Sequence, residues 1–133
     1  MLSTNPYLHF NGNTEEAMNF YRSIFGGEFT IFQRYKEIPG GEKMPPEDQE
    51  KIMHVSLTLG NGVTIMATDW TATMGAGLSF GNNFHICIQA ESERKLINYL
   101  PGSPGMALQK CPPIKHSGVP TLQCARISSV FNG

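Results

Sequence analysis

The side chains of this 133-residue chain that could do chemistry are few: four histidines, an Asp-Trp pair, three cysteines and a set of methionines. His54 stands in Ile52-Met53-His54-Val55-Ser56. A strand histidine between apolar neighbours is either a hydrogen-bonded structural group or a general base, and the residue types leave both open. Asp69-Trp70 can place an aromatic at a pocket edge with a carboxylate to orient a ligand; a turn-capping Asp beside a half-buried Trp fits equally well. Met66, with Met53, Met74 and Met106, can line an adaptable apolar cavity or fill ordinary core. Cys87 has no adjacent base or helix terminus and reads as inert core. Gly60-Asn61-Gly62 is a hairpin turn, because no strand-to-helix context of a phosphate loop surrounds it. Pro39-Gly40-Gly41-Glu42 reads as a plain surface turn. No residue can be assigned a catalytic role from type and spacing alone.

The elements that must position these groups begin with Tyr7-Leu8-His9-Phe10, a short strand, followed by the turn Asn11-Gly12 and an amphipathic helix. Gly12 can supply a positive φ, Asn13 an N-cap and Glu16 the carboxylate of a capping box. Ala17, Phe20, Tyr21, Ile24 and Phe25 recur at helical period as one apolar face, and Gly26-Gly27 ends the helix. Phe29 to Tyr35 alternate as a strand. A polar loop rich in Pro and Gly runs from Glu37 to Glu50, and strands around His54 to Leu59 and Val63 to Thr68 form a hairpin across Leu59-Gly60-Asn61-Gly62. The first half is thus βαβββ. After a Gly-rich connection, Phe84 to Ala90 reads as another strand, and Ser92 can cap a helix carrying Leu96, Tyr99 and Leu100 that Pro101 stops. The strand-helix order has started again, as in an internal repeat.

Composition bounds the rest. With 40% hydrophobic and 16% charged residues the chain is globular and sized for one domain. A net charge of -1 and the lack of any Lys/Arg run give no footprint for nucleic acid or an anionic membrane. The early apolar residues are broken by Asn5, Pro6, His9 and Asn11, so neither a signal peptide nor a membrane span is expected. Three cysteines, Cys87, Cys111 and Cys124, lack paired spacing, which favours a reduced, cytoplasmic setting.

The wording of Tyr7 to Tyr21, closed by Phe25-Gly26-Gly27-Glu28, closely resembles the opening of PhnB-like proteins. These are a branch of the vicinal-oxygen-chelate superfamily, with glyoxalase I, bleomycin-resistance proteins and ring-cleaving dioxygenases. Ile52 to Asp69 and Asn82 to Gln89 carry the likeness further, so that it covers roughly residues 5 to 110. The resemblance implies an α+β fold of paired βαβββ modules whose strands curve around a cleft, and a homodimer. It also implies where a metal would sit, since relatives often hold a divalent ion with His and Glu side chains. His85 falls at the second module's histidine position. The first-strand position falls on Pro6, with His9 an odd number of residues away and expected on the opposite face. The fourth-strand position falls near Ile65 or Met66, neither a hard-ion donor. A site needing three or four convergent N or O donors is therefore not expected, no cofactor is expected, and His85 reads as a packed or pocket-lining group. Some family members carry a 3-demethylubiquinone methyltransferase label, yet nothing here resembles a glycine-rich crossover for S-adenosylmethionine.

The second module does not finish as the first does. From Cys111 to Gly133 there is no period-two alternation, and Pro112, Pro113 and Pro120 each remove a ladder donor. Every Asp and Glu lies at or before Glu93, so the end of the chain carries only basic charge. Reading the third base of each codon with the first two of the next permits Phe-Trp-Gly-Ala-Tyr from His116 through Thr121. From Gln123 through Gly133 it permits Val-Cys-Lys-Asp-Lys-Phe-Gly-Val-Gln-Trp. Both strings are similar to the closing strands of PhnB-like proteins. Residues 111-133 are thus read as a frameshift product in place of those strands, the alternative being a genuine divergent tail, and if ordered they could pair as an irregular substitute edge; His116 is given no role, and residues 1-110 are read as the glyoxalase/bleomycin-resistance-like domain. Loss of the closing strands would weaken ligand binding and leave an edge prone to self-association. The function expected is small-molecule binding in the cleft; the alternative is a divalent-metal-dependent lyase, isomerase or dioxygenase of the same superfamily.

Overall fold

A computed structural model describes residues 2–75 and 77–79 in full, and beyond them the backbone of strands at Ile86–Ala90, Leu108–Lys110 and Gln123–Ile127. The chain divides into two units, Met1–Ser79 and Phe80–Asn132. In the first, β1 (Tyr7–Phe10) leads through α1 (Thr14–Phe25) to β2 (Glu28–Arg34), and then β3 (Ile52–Thr58) and β4 (Thr64–Asp69) follow. This is the βαβββ order read from the sequence. The four strands form one mixed sheet in the order β1-β4-β3-β2, with β1 parallel to β4 and the other neighbours antiparallel.

Helix α1 packs across β3 and β4. Its buried side is Thr14, Ala17, Met18, Tyr21 and Ile24, centred one residue away from the expected face, with Met18 fully enclosed and Phe20 and Phe25 only half-buried. Against it lie Phe10, Val55, Leu57, Ile65 and Ala67, all buried. Cross-strand partners Val55↔Ala67 and Leu57↔Ile65 put these side chains on one face of the sheet. Burying side chains such as Met18, Val55 and Leu57 contributes roughly 1.5–3 kcal/mol each. Two glycines end the helix as expected: Gly26 and Gly27 take φ of 71° and 88°. Any Cβ on Gly27 would run into the Thr58 carbonyl, so the close helix-to-β3 approach itself requires glycine there.

The start of α1 differs from the sequence expectation. Gly12 does take a positive φ of 91°, but Asn13 makes no side-chain cap bond to the helix. The cap is supplied from 55 residues away by Asp69, whose Oδ1 accepts the Thr14 and Gly12 amides at 3.0 Å each. Its Oδ2 accepts the Ile52 amide at 2.8 Å. One carboxylate thus ties the β1-α1 turn and the start of β3 to the end of β4. Tyr35 adds to this junction by donating its hydroxyl to the Asp69 main-chain oxygen at 3.1 Å.

The segment read as a polar loop is built from short turns. It contains 3₁₀ turns at Tyr35–Glu37 and Gly41–Lys43 and the four-residue α2 (Pro46–Gln49), with Pro46 in the first helical turn, where its missing N–H costs nothing. The hairpin turn forms as expected, Leu59 N donating to Val63 O at 2.8 Å and Gly62 N to Leu59 O at 3.0 Å.

In the second unit, β5 (Ile86–Ala90), β6 (Leu108–Lys110) and β7 (Gln123–Ile127) form an antiparallel sheet in the order β5-β7-β6. A strand within residues 111-133 is the irregular substitute edge that an ordered tail could supply. The three prolines that argued against it all precede Gln123, and the five residues of β7 keep every ladder donor. The expected helix at Ser92 to Leu100 lies outside the described residues, as does His85.

Candidate ligand site on the open sheet face

Alternation along the strands of the first unit leaves one sheet face turned away from α1. On β1 this face carries Tyr7 and His9; on β4, Met66 and Thr68; on β3, His54 and Ser56. The register sets Tyr7 beside Met66, His9 beside Thr68 and Ser56 beside Met66. Ile65 points the other way and is buried under the helix.

The polar groups here are connected. Tyr7 Oη lies 3.2 Å from His54 Nδ1, and His54 Nε2 lies 2.9 Å from Ser56 Oγ. Because β4 separates β1 from β3, the Tyr7 side chain must cross that strand to reach His54. Both imidazole nitrogens are therefore engaged, and the tautomer is set by which hydroxyl donates. Thr68 donates to the Met53 carbonyl at 2.7 Å, which satisfies a hydroxyl that is otherwise enclosed. Rings extend the array. Tyr7 lies 5.3 Å from His9 and 5.6 Å from His54 between centroids, and His9 lies 6.3 Å from Trp70. Tyr7 is 42% exposed. Partial burial nonetheless pushes its hydroxyl above the ordinary phenol value, with the Thr68 hydroxyl pulling partly back, so the phenol stays neutral at physiological pH.

The sequence candidates divide accordingly. His54 and Met66 share this face, and Trp70 stands half-buried at its end, its amide donating to Phe10 O at 2.7 Å. Asp69 does not orient a ligand, since its carboxylate is 2% exposed and spent on three amides. Sequence reasoning missed Tyr7 and Ser56. His9 lies three residues from Pro6, the odd separation expected, and shares its face with Tyr7. The signal was present as the two-residue spacings Tyr7/His9 and His54/Ser56.

The donors described on this face of the first unit do not suit a divalent ion, and His85 lies outside the described residues. Among the described residues no three His, Cys, Asp or Glu side chains cluster, and this face carries two imidazoles without a carboxylate, one of them bonded at both nitrogens. No helix among the described residues is long and apolar enough to cross a membrane.

No protein-family model and no curated protein matches the chain. Among solved structures it is similar to protein PA1353 from Pseudomonas aeruginosa, at 28% identity and a TM-score of 0.60, covering 84% of this chain and 79% of that one. It is also similar to a PhnB protein from Bacillus cereus, provisionally named a 3-demethylubiquinone-9 3-methyltransferase. There the identity is 25% and the TM-score 0.59, over 83% of this chain and 80% of the other. The fold is PhnB-like.

Proposed function

We propose that this chain is a small-molecule-binding domain whose ligand lies on the open sheet face, in a cleft of the paired βαβββ type and without a complete metal site. The observation that carries this reading is the connected Tyr7-His54-Ser56 chain flanked by His9 and Trp70. A sheet face that had only to be solvated would need no such network of rings and hydroxyls, whereas a ligand site combines apolar and aromatic walls with a few placed polar groups. The PhnB-like neighbours support the same reading at the level of the fold.

Asp, Glu, Lys and Arg are missing from this set of Tyr7, His9, His54, Ser56, Met66, Thr68 and Trp70. The ligand that suits it is therefore uncharged or weakly charged, held by stacking and by hydrogen bonds to imidazole and hydroxyl. The methyltransferase activity in the name of the Bacillus cereus protein finds no support in this group of side chains, which offers neither a carboxylate for the ribose hydroxyls of S-adenosylmethionine nor a glycine-rich helix start. Native mass spectrometry of the full chain with a mixed metabolite library tests the reading. Retained mass shifts that are lost in His54→Leu support it; shifts indifferent to every substitution on this face contradict it.

A further inference from the structure

We propose that the ligand class taken by this face is a neutral phenol, because the chain already holds one there: the side chain of Tyr7. This deepens and rests on the ligand-binding reading above. Tyr7 belongs to β1, yet its ring extends over β4 and its hydroxyl ends on His54 Nδ1 at 3.2 Å, on the next strand but one. Its ring lies between two imidazoles, with centroids 5.3 Å from His9 and 5.6 Å from His54, both tilted. The surroundings thus supply what a phenol needs, two aromatic edges and one polar atom at the end of the ring.

The occupancy is also reversible in character. The side chain is 42% exposed, turns about its own χ1, and is held at its tip by a long 3.2 Å bond to His54 with the Thr68 hydroxyl beside it. A hydroxyaryl molecule arriving from solvent can make the same bond to His54 and the same ring contacts while Tyr7 turns outward. The contacts exchanged are alike, since one phenol replaces another, but the free molecule also gives up translational freedom, so it binds wild type weakly and binds better once the Tyr7 ring is removed. His54 keeps its second bond, to Ser56 at 2.9 Å, so the acceptor stays oriented while the first partner changes.

The test is Tyr7→Ala in the full chain, titrated with p-cresol and with toluene, reading the thermal midpoint and the His54 imidazole resonances. The expected result is saturable p-cresol binding that raises the midpoint, moves the His54 signals and is about tenfold tighter than toluene, as one retained hydrogen bond implies. In Tyr7→Ala/His54→Leu the preference for p-cresol disappears. Equal binding of the two compounds, or no binding of either to folded Tyr7→Ala, overturns the proposal. Should Tyr7→Ala not fold, wild-type protein titrated with phenol decides: Tyr7 ring and His54 signals moving together support displacement, and neither moving up to the solubility limit overturns it. A wild-type chain that captures only non-phenolic metabolites on this face sinks the phenol class and leaves the ligand-binding reading standing. Capture of nothing by wild type, with p-cresol still filling Tyr7→Ala, sinks that reading and leaves the phenol cradle.

Discussion

Replacing Asp69 by alanine should be among the most damaging single changes in the first unit, although the residue stands beside Trp70 where a ligand-orienting role was one reading. In the wild-type chain the carboxylate is 2% exposed and accepts three amides: Gly12 and Thr14 at 3.0 Å and Ile52 at 2.8 Å. Asp69→Ala leaves those donors without a partner, and each unsatisfied buried group costs about 1–3 kcal/mol. Gly12 is exposed enough for water to replace one bond, and a vacated carboxylate space admits water to others, so the sum falls to about 3–5 kcal/mol. Asp69→Asn keeps an oxygen for Gly12 and Thr14 but sets an amide NH₂ against the Ile52 N–H, which costs about 2–3 kcal/mol. Urea denaturation followed by far-ultraviolet circular dichroism measures both, and the midpoint should fall in the order wild type, Asn, Ala with the m-value unchanged. The Thr14 and Ile52 amide protons should also lose hydrogen-exchange protection together, because one side chain holds both. An Asp69→Ala variant within about 1 kcal/mol of wild type would refute the reasoning about this junction.

Other expected outcomes follow from particular atoms. Thr14 Oγ1 is buried with no hydrogen-bond partner among the described residues, so Thr14→Val should raise stability by about 1 kcal/mol or more in the same urea assay. Burial pushes the Tyr21 hydroxyl up to about 12 from its ordinary value of 10.0. A raised folded pKa means that this contribution is whole below pH 10.0 and is lost as pH rises toward 12. Stability should therefore fall by roughly 2–3 kcal/mol across that window, and Tyr21→Phe should flatten the fall in denaturation curves taken at successive pH values. Gly27→Ala places a Cβ against the Thr58 carbonyl at a φ of 88° and should cost about 2–4 kcal/mol by thermal or urea unfolding. Resequencing the encoding DNA checks the frameshift reading of residues 111-133, since third-base choices that forbid the alternative strings would end it. Metal analysis of the purified chain checks the donor argument: stoichiometric zinc, nickel, manganese or iron, lost on His85→Ala, would favour the metal-dependent alternative.

The first unit was legible because its signals are local. Period-two runs at Tyr7 to Phe10 and Phe29 to Tyr35, a helical face from Ala17 to Phe25, and Gly60-Asn61-Gly62 in a hairpin each act over a few residues. What was not legible depends on contacts distant in sequence. The α1 cap comes from Asp69, 55 residues from Thr14, and no spacing rule near Asn13 announces it. The candidate face was half legible. His54, Met66 and Trp70 were named, while Tyr7 and Ser56 acquire meaning only once β4 is known to lie between β1 and β3. Met18 was left out of the core because the apolar stripe was drawn one residue to one side, and the burial of Thr14 shows that the helix turns its other flank to the sheet as well. In the tail, Pro112, Pro113 and Pro120 all precede β7, which leaves its ladder donors intact.

The most direct test of the ligand-binding account is to follow the His9 and His54 imidazole resonances of the full chain while it is titrated with a compound retained in the metabolite screen. The account requires both to move along one saturable curve, with Trp70 fluorescence changing at the same midpoint. Histidine signals that stay fixed while the ligand binds would contradict it.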